Sequence, residues 1–218
     1  GGISTGSAAV GGVINTLVMS NKVKAIVKNS VAIAAGYDSA DDGASETGDG
    51  EVLVESDDES HLYNFAGAVA ASSSVGVGAT IMVMVYDKQV EASVGDAGAI
   101  RATGDVTVSA SSKDGIYLGA LSFAGSGSTA VAISGNALVF QNAVKAQLGG
   151  NVKSLGDIKV SAKSDTQMVN VAVALAGSGT AAVTPVAVVT YFDGSTVAIV
   201  GAGASLVASG SVDIAADS

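Results

Sequence analysis

The sequence has 218 residues and a net charge of −10; nearly half of it is apolar, yet only 4% is aromatic. A chain this acidic, without a basic cluster, is repelled by phosphate backbones, so nucleic acid is not an expected partner. With no cysteine and one histidine, disulfides and thiolate metal sites are excluded, and no run of about 18 uninterrupted apolar residues predicts a transmembrane helix.

The first residues, "GGISTGS", hold neither the basic stretch nor the apolar segment of a secretory leader. A 25-residue block, Ile3–Val27, then opens a pattern that returns without gaps at Ala70–Val94, Ala124–Leu148 and Ala176–Val200. Its eighth position is Val10, Val77, Val131 and Val183. Its seventeenth is Met19, Tyr86, Phe140 and Phe192, and its twenty-third is Ala25, Ala92, Ala146 and Ala198. Polar triplets inside the blocks read as turns: Ser20–Lys22, Asp87–Gln89, Gln141–Ala143 and Asp193–Ser195.

A shorter element follows each block: "GEVLVES" from Gly50, "GDVTVSA" from Gly104, "GDIKVSA" from Gly156 and "GSVDIAA" from Gly210. Val106, Val108 and Ala110 alternate with Thr107 and Ser109, the period of a strand with one buried face. The four glycines are expected to mark tight corners. The links between block and glycine have 22, 9, 7 and 9 residues, so the repeat is 52 to 54 residues with one acidic insertion at 29–49. No segment carries a helical apolar stripe with caps. The whole of 1–218 reads as one continuous array with blocks starting near 3, 70, 124 and 176. It shows no atypical capping repeat and is expected to belong to a longer array.

The predicted class is therefore all-β, a β-solenoid; a β-sandwich or stacked hairpins is the alternative, since the turn triplets could close antiparallel pairs. In a solenoid the Val10 and Met19 series form interior ladders.

The alternation of glycine-aspartate strands ("GDVTVSASS", "GDIKVSAKS") with long Ala/Gly/Val/Ser blocks resembles the repeats of large type V-secreted bacterial surface proteins. These are filamentous adhesins and hemagglutinin-like exoproteins, the fusobacterial leukotoxin among them. The resemblance implies a right-handed parallel β-helix, with about two coils per repeat, secreted to the bacterial cell surface. The implied role is host-cell adhesion or virulence, with a host receptor or glycan and neighbouring repeats of the same chain as partners. A leukotoxin-type region contacting leukocytes and a carbohydrate-active β-helix enzyme are the alternatives. No functional residue is carried over.

Four features compete as candidate sites with simpler readings. "AGSGTAA" (Ala176–Ala182) fits the G-x-G-x-x-A spacing of a dinucleotide loop, but it continues as strand and matches "AGSGST" at Ala124, so a corner is expected. Asp38, Asp41, Asp42, Glu46 and Asp49 are weak calcium candidates; without the spacing of a known calcium loop they read as a solvated acidic loop that could contact a partner. His61 has no second histidine or cysteine for a metal or triad, and the sole Arg101 sits in a variable link without an evident partner. The Ala/Gly/Ser texture reads as close packing at corners. No enzyme activity and no cofactor are expected.

Overall fold

The computed structural model describes residues 2–4, 6–96 and 98–218. Among them there is no helix, and the strands are β1 (Gly2–Ile3), β2 (Ala8–Val27), β3 (Ala32–Ala35), β4 (Val52–Ser72), β5 (Val75–Val94), β6 (Ala99–Ala102) and β7 (Val106–Ser126), followed by β8 (Thr129–Leu148), β9 (Asn151–Ser154), β10 (Ile158–Ser178), β11 (Ala181–Val183), β12 (Val186–Val200), β13 (Ser205–Ala208) and β14 (Val212–Asp217). Valine-rich segments favour extended backbone because β-branched side chains pack well on a pleated surface.

Three sheets result. The first holds β1, β4, β7, β10 and β14; the second holds β2, β5 and β8, with β11 and β12 both on the far side of β8; the third holds β3, β6, β9 and β13. Every pairing of these strands is parallel, and all but the two-residue β1–β4 pairing, which is shifted by one residue, join the same position of successive repeats: Val10 to Val77, Val77 to Val131, Val131 to Val183. Each repeat thus makes one circuit of the three sheets, not the two coils expected, and ladder members are direct neighbours about 4.8 Å apart. The alternative of stacked hairpins is overturned as well. The one antiparallel contact among the described residues is the isolated bridge between Tyr37 and Glu46.

The expected turn triplets lie inside strands. β2, β5, β8 and β12 run straight through Ser20–Lys22, Asp87–Gln89, Gln141–Ala143 and Asp193–Ser195. β2, β5 and β8 have 20 residues each and β12 has 15, against a usual strand length of ~5–6 residues, and the polar residues read as loop are partly interior. The expected links hide the third sheet: β3, β6, β9 and β13 lie between each block and the next glycine. Within 29–49, Ala32–Ala35 is therefore regular strand.

The first two sheets face each other, and the side chains at their interface are largest in the middle and smallest at one edge. Beneath the third sheet lies a Val/Ile/Leu cluster that includes Val90, Ile100, Val106, Val144, Val152 and Ile158. The middle is filled by Met82, Met84, Tyr86, Ile116, Leu118, Leu138 and Phe140. The far edge holds only Ala124, Ala130 and Ala132. There the backbones nearly touch: a Cβ on Gly76 would lie 2.6 Å from the Gly125 carbonyl oxygen, and one on Gly78 would lie 2.4 Å from that of Phe123. Buried hydroxyls bridge the narrow gap to opposite carbonyls, Thr80 to Leu121 at 2.8 Å and Ser134 to Ala120 at 3.1 Å.

That taper decides the two ladders. Tyr86 and Phe140 are fully buried and stacked at 5.2 Å, with Met19 packed against the same cluster. Phe192 continues the stack at 5.5 Å but stays 45% exposed, because β12 is the last strand of its sheet. The Val10 series is not interior. Val10 is 73% and Val183 53% exposed; the narrow edge admits only Ala9, Gly76 and Ala130 inward at the neighbouring positions, so the valines face out.

Candidate functional site

The dinucleotide-like segment is a corner. Gly179 lies between β10 and β11, and a Cβ there would meet the Gly127 carbonyl oxygen at 2.4 Å. The corner N–H groups are spent on the preceding repeat: Thr180 and Ala181 both donate to the Ser128 carbonyl, at 3.1 and 3.0 Å. No helix follows to complete a phosphate cradle. The four other glycines also stack, with Gly104 N–H donating to Gly50 O at 2.7 Å and Gly210 N–H to Gly156 O at 3.1 Å.

The Gly-Asp pairs have a use that repetition alone did not reveal. Asp105 Oδ1 accepts the backbone N–H of Asp157 at 2.8 Å, and Asp157 Oδ1 accepts that of Ser211 at 2.6 Å. Each aspartate thus staples its corner to the next repeat. The Ser211 N–H and hydroxyl hold the Asp157 carboxyl below its ordinary value.

The acidic insertion leaves the third sheet at Gly36, whose φ of 74° suits glycine, and it returns at Gly50. It folds back across the outer face of that sheet. Arg101 Nη1 donates to the Asp41 carbonyl at 2.5 Å and to Asp42 Oδ1 at 3.3 Å, and its guanidinium lies 4.8 Å from the centre of the Tyr37 ring. Lys153 Nζ also donates to Asp42 Oδ1. The Lys153 bond and charge, with Arg101 adding to them, hold the Asp42 carboxyl below its ordinary value. Arg101 is therefore a member of β6 with clear partners, which corrects its placing in a link without any.

The calcium candidates do not converge. Asp38 Oδ1 accepts the Ser45 N–H at 2.9 Å, Asp42 is engaged by two cations, and Glu46 sits in the bridge with Tyr37. Asp41 contributes its carbonyl oxygen to Arg101. Among the described residues no three His, Cys, Asp or Glu side chains form a metal-holding group, so Asp49 joins no such group either.

His61 lies on the outer face of the first sheet, over the space left by Gly115, where a Cβ would meet its Cδ2 at 2.9 Å. Lys113, Asp165 and Gln167 line the same shallow hollow. Beside it Tyr63 and Tyr117 stack at 4.9 Å with an angle of 6° between rings, and the Tyr117 hydroxyl donates to Gln167 Oε1 at 2.9 Å. Beyond the tyrosines this face is apolar, with Phe65, Phe123, Val171 and Leu175 exposed, whereas on the other side of His61 it is charged, with Glu55, Asp57, Glu59 and Lys163 exposed.

The most concentrated set of functional groups is interior, and the sequence reading missed it. Asn21, Lys88, Asn142 and Gly194 form one inward ladder of the second sheet. Opposite them on the first sheet stand Asp58 and Ser112 with Ser164, and Ser60 and Asp114 with Thr166. Lys88 Nζ pairs with Asp114 Oδ1 at 2.8 Å and with Asp58 Oδ2. Ser112 Oγ donates to Asp114 Oδ2 at 2.8 Å, Asn21 Nδ2 to Asp58 Oδ1 at 3.0 Å, and Ser60 Oγ to Asp58 Oδ2 at 2.9 Å. Burial pushes the Asp58 carboxyl up, but the bonds from Lys88, Ser60 and Asn21 outweigh it and hold it below its ordinary value. The available signal was the period of two: counted through the supposed turns, it places Asn21, Lys88 and Asn142 on the inward face.

No family model, curated protein or solved structure matches the chain.

Proposed function

We propose that the chain is a stretch of right-handed parallel β-solenoid that serves as a structural and adhesive stalk segment of a large secreted bacterial surface protein. The observation that carries this reading is the register. Twenty-residue strands pair position for position across successive repeats, so backbone hydrogen bonds and the Met19–Tyr86–Phe140–Phe192 ladder run along one axis. Such an array resists bending and can hold binding regions away from a cell surface. The outward-facing Tyr63–Tyr117 pair and the clamped insertion at 36–49 are the surfaces through which it would meet a host receptor or glycan.

Host epithelial cells and leukocytes incubated with the purified chain test the reading. Leukocytes are expected to stay intact, and acidic polysaccharides to stay uncleaved. Leukocyte lysis would overturn the stalk in favour of a leukotoxin-type region, and cleavage would overturn it in favour of a carbohydrate-active enzyme.

A further inference from the structure

Between the aliphatic and aromatic parts of the core, Lys88 carries an amine into a site with no exposure to solvent. The Asp114 side chain that receives it is equally sealed, and Asp58 beside it is 15% exposed. An ion pair in such a place keeps the desolvation cost of both ions. Moving one proton from Nζ to Asp114 removes both charges. What remains is a primary amine against a carboxylic acid, the two reactants of an amide.

The surroundings differ on the two oxygens of Asp114. Oδ1 faces Lys88 Nζ at 2.8 Å, so the amine is held in contact with the carboxyl group whose Cγ it would attack. Oδ2 accepts Ser112 Oγ at 2.8 Å and Asn142 Nδ2 at 3.4 Å. Charge developing on Oδ2 would thus meet fixed donors in a water-free setting, where such donors act most strongly. Asp58 Oδ2 lies on Nζ and can carry a proton from it. Nucleophile, electrophile, oxyanion donors and base stand together, and no other repeat has the set: Lys88 is replaced by Asn21, Asn142 and Gly194, and Asp114 by Ser60 and Thr166.

We propose that Lys88 and Asp114 condense into an intramolecular amide cross-link, with Asp58 as the proton carrier and Ser112 and Asn142 holding the oxygen that becomes the amide carbonyl. One proton passes from the ammonium to Asp114 Oδ1. The Nζ lone pair forms the bond to Cγ, and the π electrons move onto Oδ2. Asp58 takes a second proton from nitrogen and delivers it to Oδ1, which leaves as water as Oδ2 re-forms the carbonyl. An ammonium and a carboxylate become one amide and one water; Asp58 ends unchanged, and no oxidant or activating reagent is needed. The bond ties β5 to β7 across the core, joining two sheets within one repeat. It suits a load-bearing stalk but does not depend on that function.

Intact mass of the purified, denatured 218-residue chain tests this directly. The expected mass is one water below that of the sequence, and protease digestion is expected to yield a branched fragment joining the peptides of Lys88 and Asp114. The full sequence mass would overturn the proposal. So would a water loss mapped to a single linear peptide, because cyclisation at Asp114–Gly115 sheds the same water without a cross-link. Asp58→Asn keeps the side-chain shape and a carbonyl oxygen beside Nζ. It is expected to fold, by circular dichroism, and to show the full mass; a cross-link in that variant would overturn the role given to Asp58.

Discussion

Two ionic clusters in this protein use the same residue types in opposite surroundings. Lys88 with Asp58 and Asp114 is enclosed between the long sheets, while Arg101 and Lys153 with Asp42 lie outside the third sheet, where the Asp42 side chain is 77% exposed. Water offers the outer charges an alternative partner and offers the inner ones none. The inner cluster therefore bears on register. A slip by one residue would turn Lys88 outward and leave two carboxylates orphaned in the core. The outer cluster holds down a loop.

The sharpest way to break the comparison is Lys88→Met, which keeps most of the stem and removes the charge. Losing one member of a buried ionic set costs about 3–5 kcal/mol, and the urea midpoint is expected to fall accordingly. Replacing Lys88, Asp58 and Asp114 together by apolar residues is expected to recover the part of that loss that comes from orphaned charge, and not the part that comes from the missing cross-link. A triple variant no better than the single one would show that orphaned charge is not the cause.

Next in size is a site where packing alone is at stake. Gly78→Ala would place a Cβ 2.4 Å from the Phe123 carbonyl oxygen, against backbone that cannot swing away, and overpacking of this kind costs about 1–3 kcal/mol. Gly12→Ala is its control. There the nearest atom stands at 4.0 Å, so the alanine is expected to be neutral or to stabilise by up to about 1 kcal/mol. Thermal melts of the two variants should move apart; equal melts would mean that the narrow edge is not tight.

The contrast between these regions also explains what could be read in the sequence. Exact repetition exposed the stacking of equivalent positions, and the corners at Gly104, Gly156 and Gly179 were legible because nothing larger fits there. The inward aromatic ladder was legible because Met19, Tyr86, Phe140 and Phe192 are among the bulkiest residues of their blocks and recur at one position. The Val10 ladder was misplaced because apolar character does not tell inside from outside where the gap admits only glycine and alanine. Lys88 was read as a turn because a buried charge looks like a surface one until its partners, 26 and 30 residues away in Asp114 and Asp58, are brought beside it. The clamp of Arg101 on Asp42 spans 59 residues and leaves no local pattern at all.

Acid is expected to act on both clusters with the same sign. Asp58 and Asp42 are held below their ordinary values in the folded chain. Their contributions are therefore fully present above about pH 4 and are lost as pH falls through the folded values. The melting temperature should drop between about pH 5 and about pH 2, and Asp58→Asn should flatten part of that drop. An Asp58→Asn profile that keeps the full slope would assign acid sensitivity to other carboxylates.

The smallest global effect is expected from Asp42→Asn. The change removes the charge that Arg101 and Lys153 share, but water can replace it for all three, so the melting temperature should hardly move. Locally the outcome differs. With its clamp gone, the loop at 36–49 should exchange its amide hydrogens faster, while the strands of the first two sheets keep their protection. Salt near 1 M, where screening reaches about 3 Å, should speed exchange in the unaltered loop in the same way and leave the amides around Lys88 untouched. If Asp42→Asn lowered global stability as far as Lys88→Met, exposure would not be what separates the two clusters, and the third sheet would have to be counted among the elements that hold the long sheets in register.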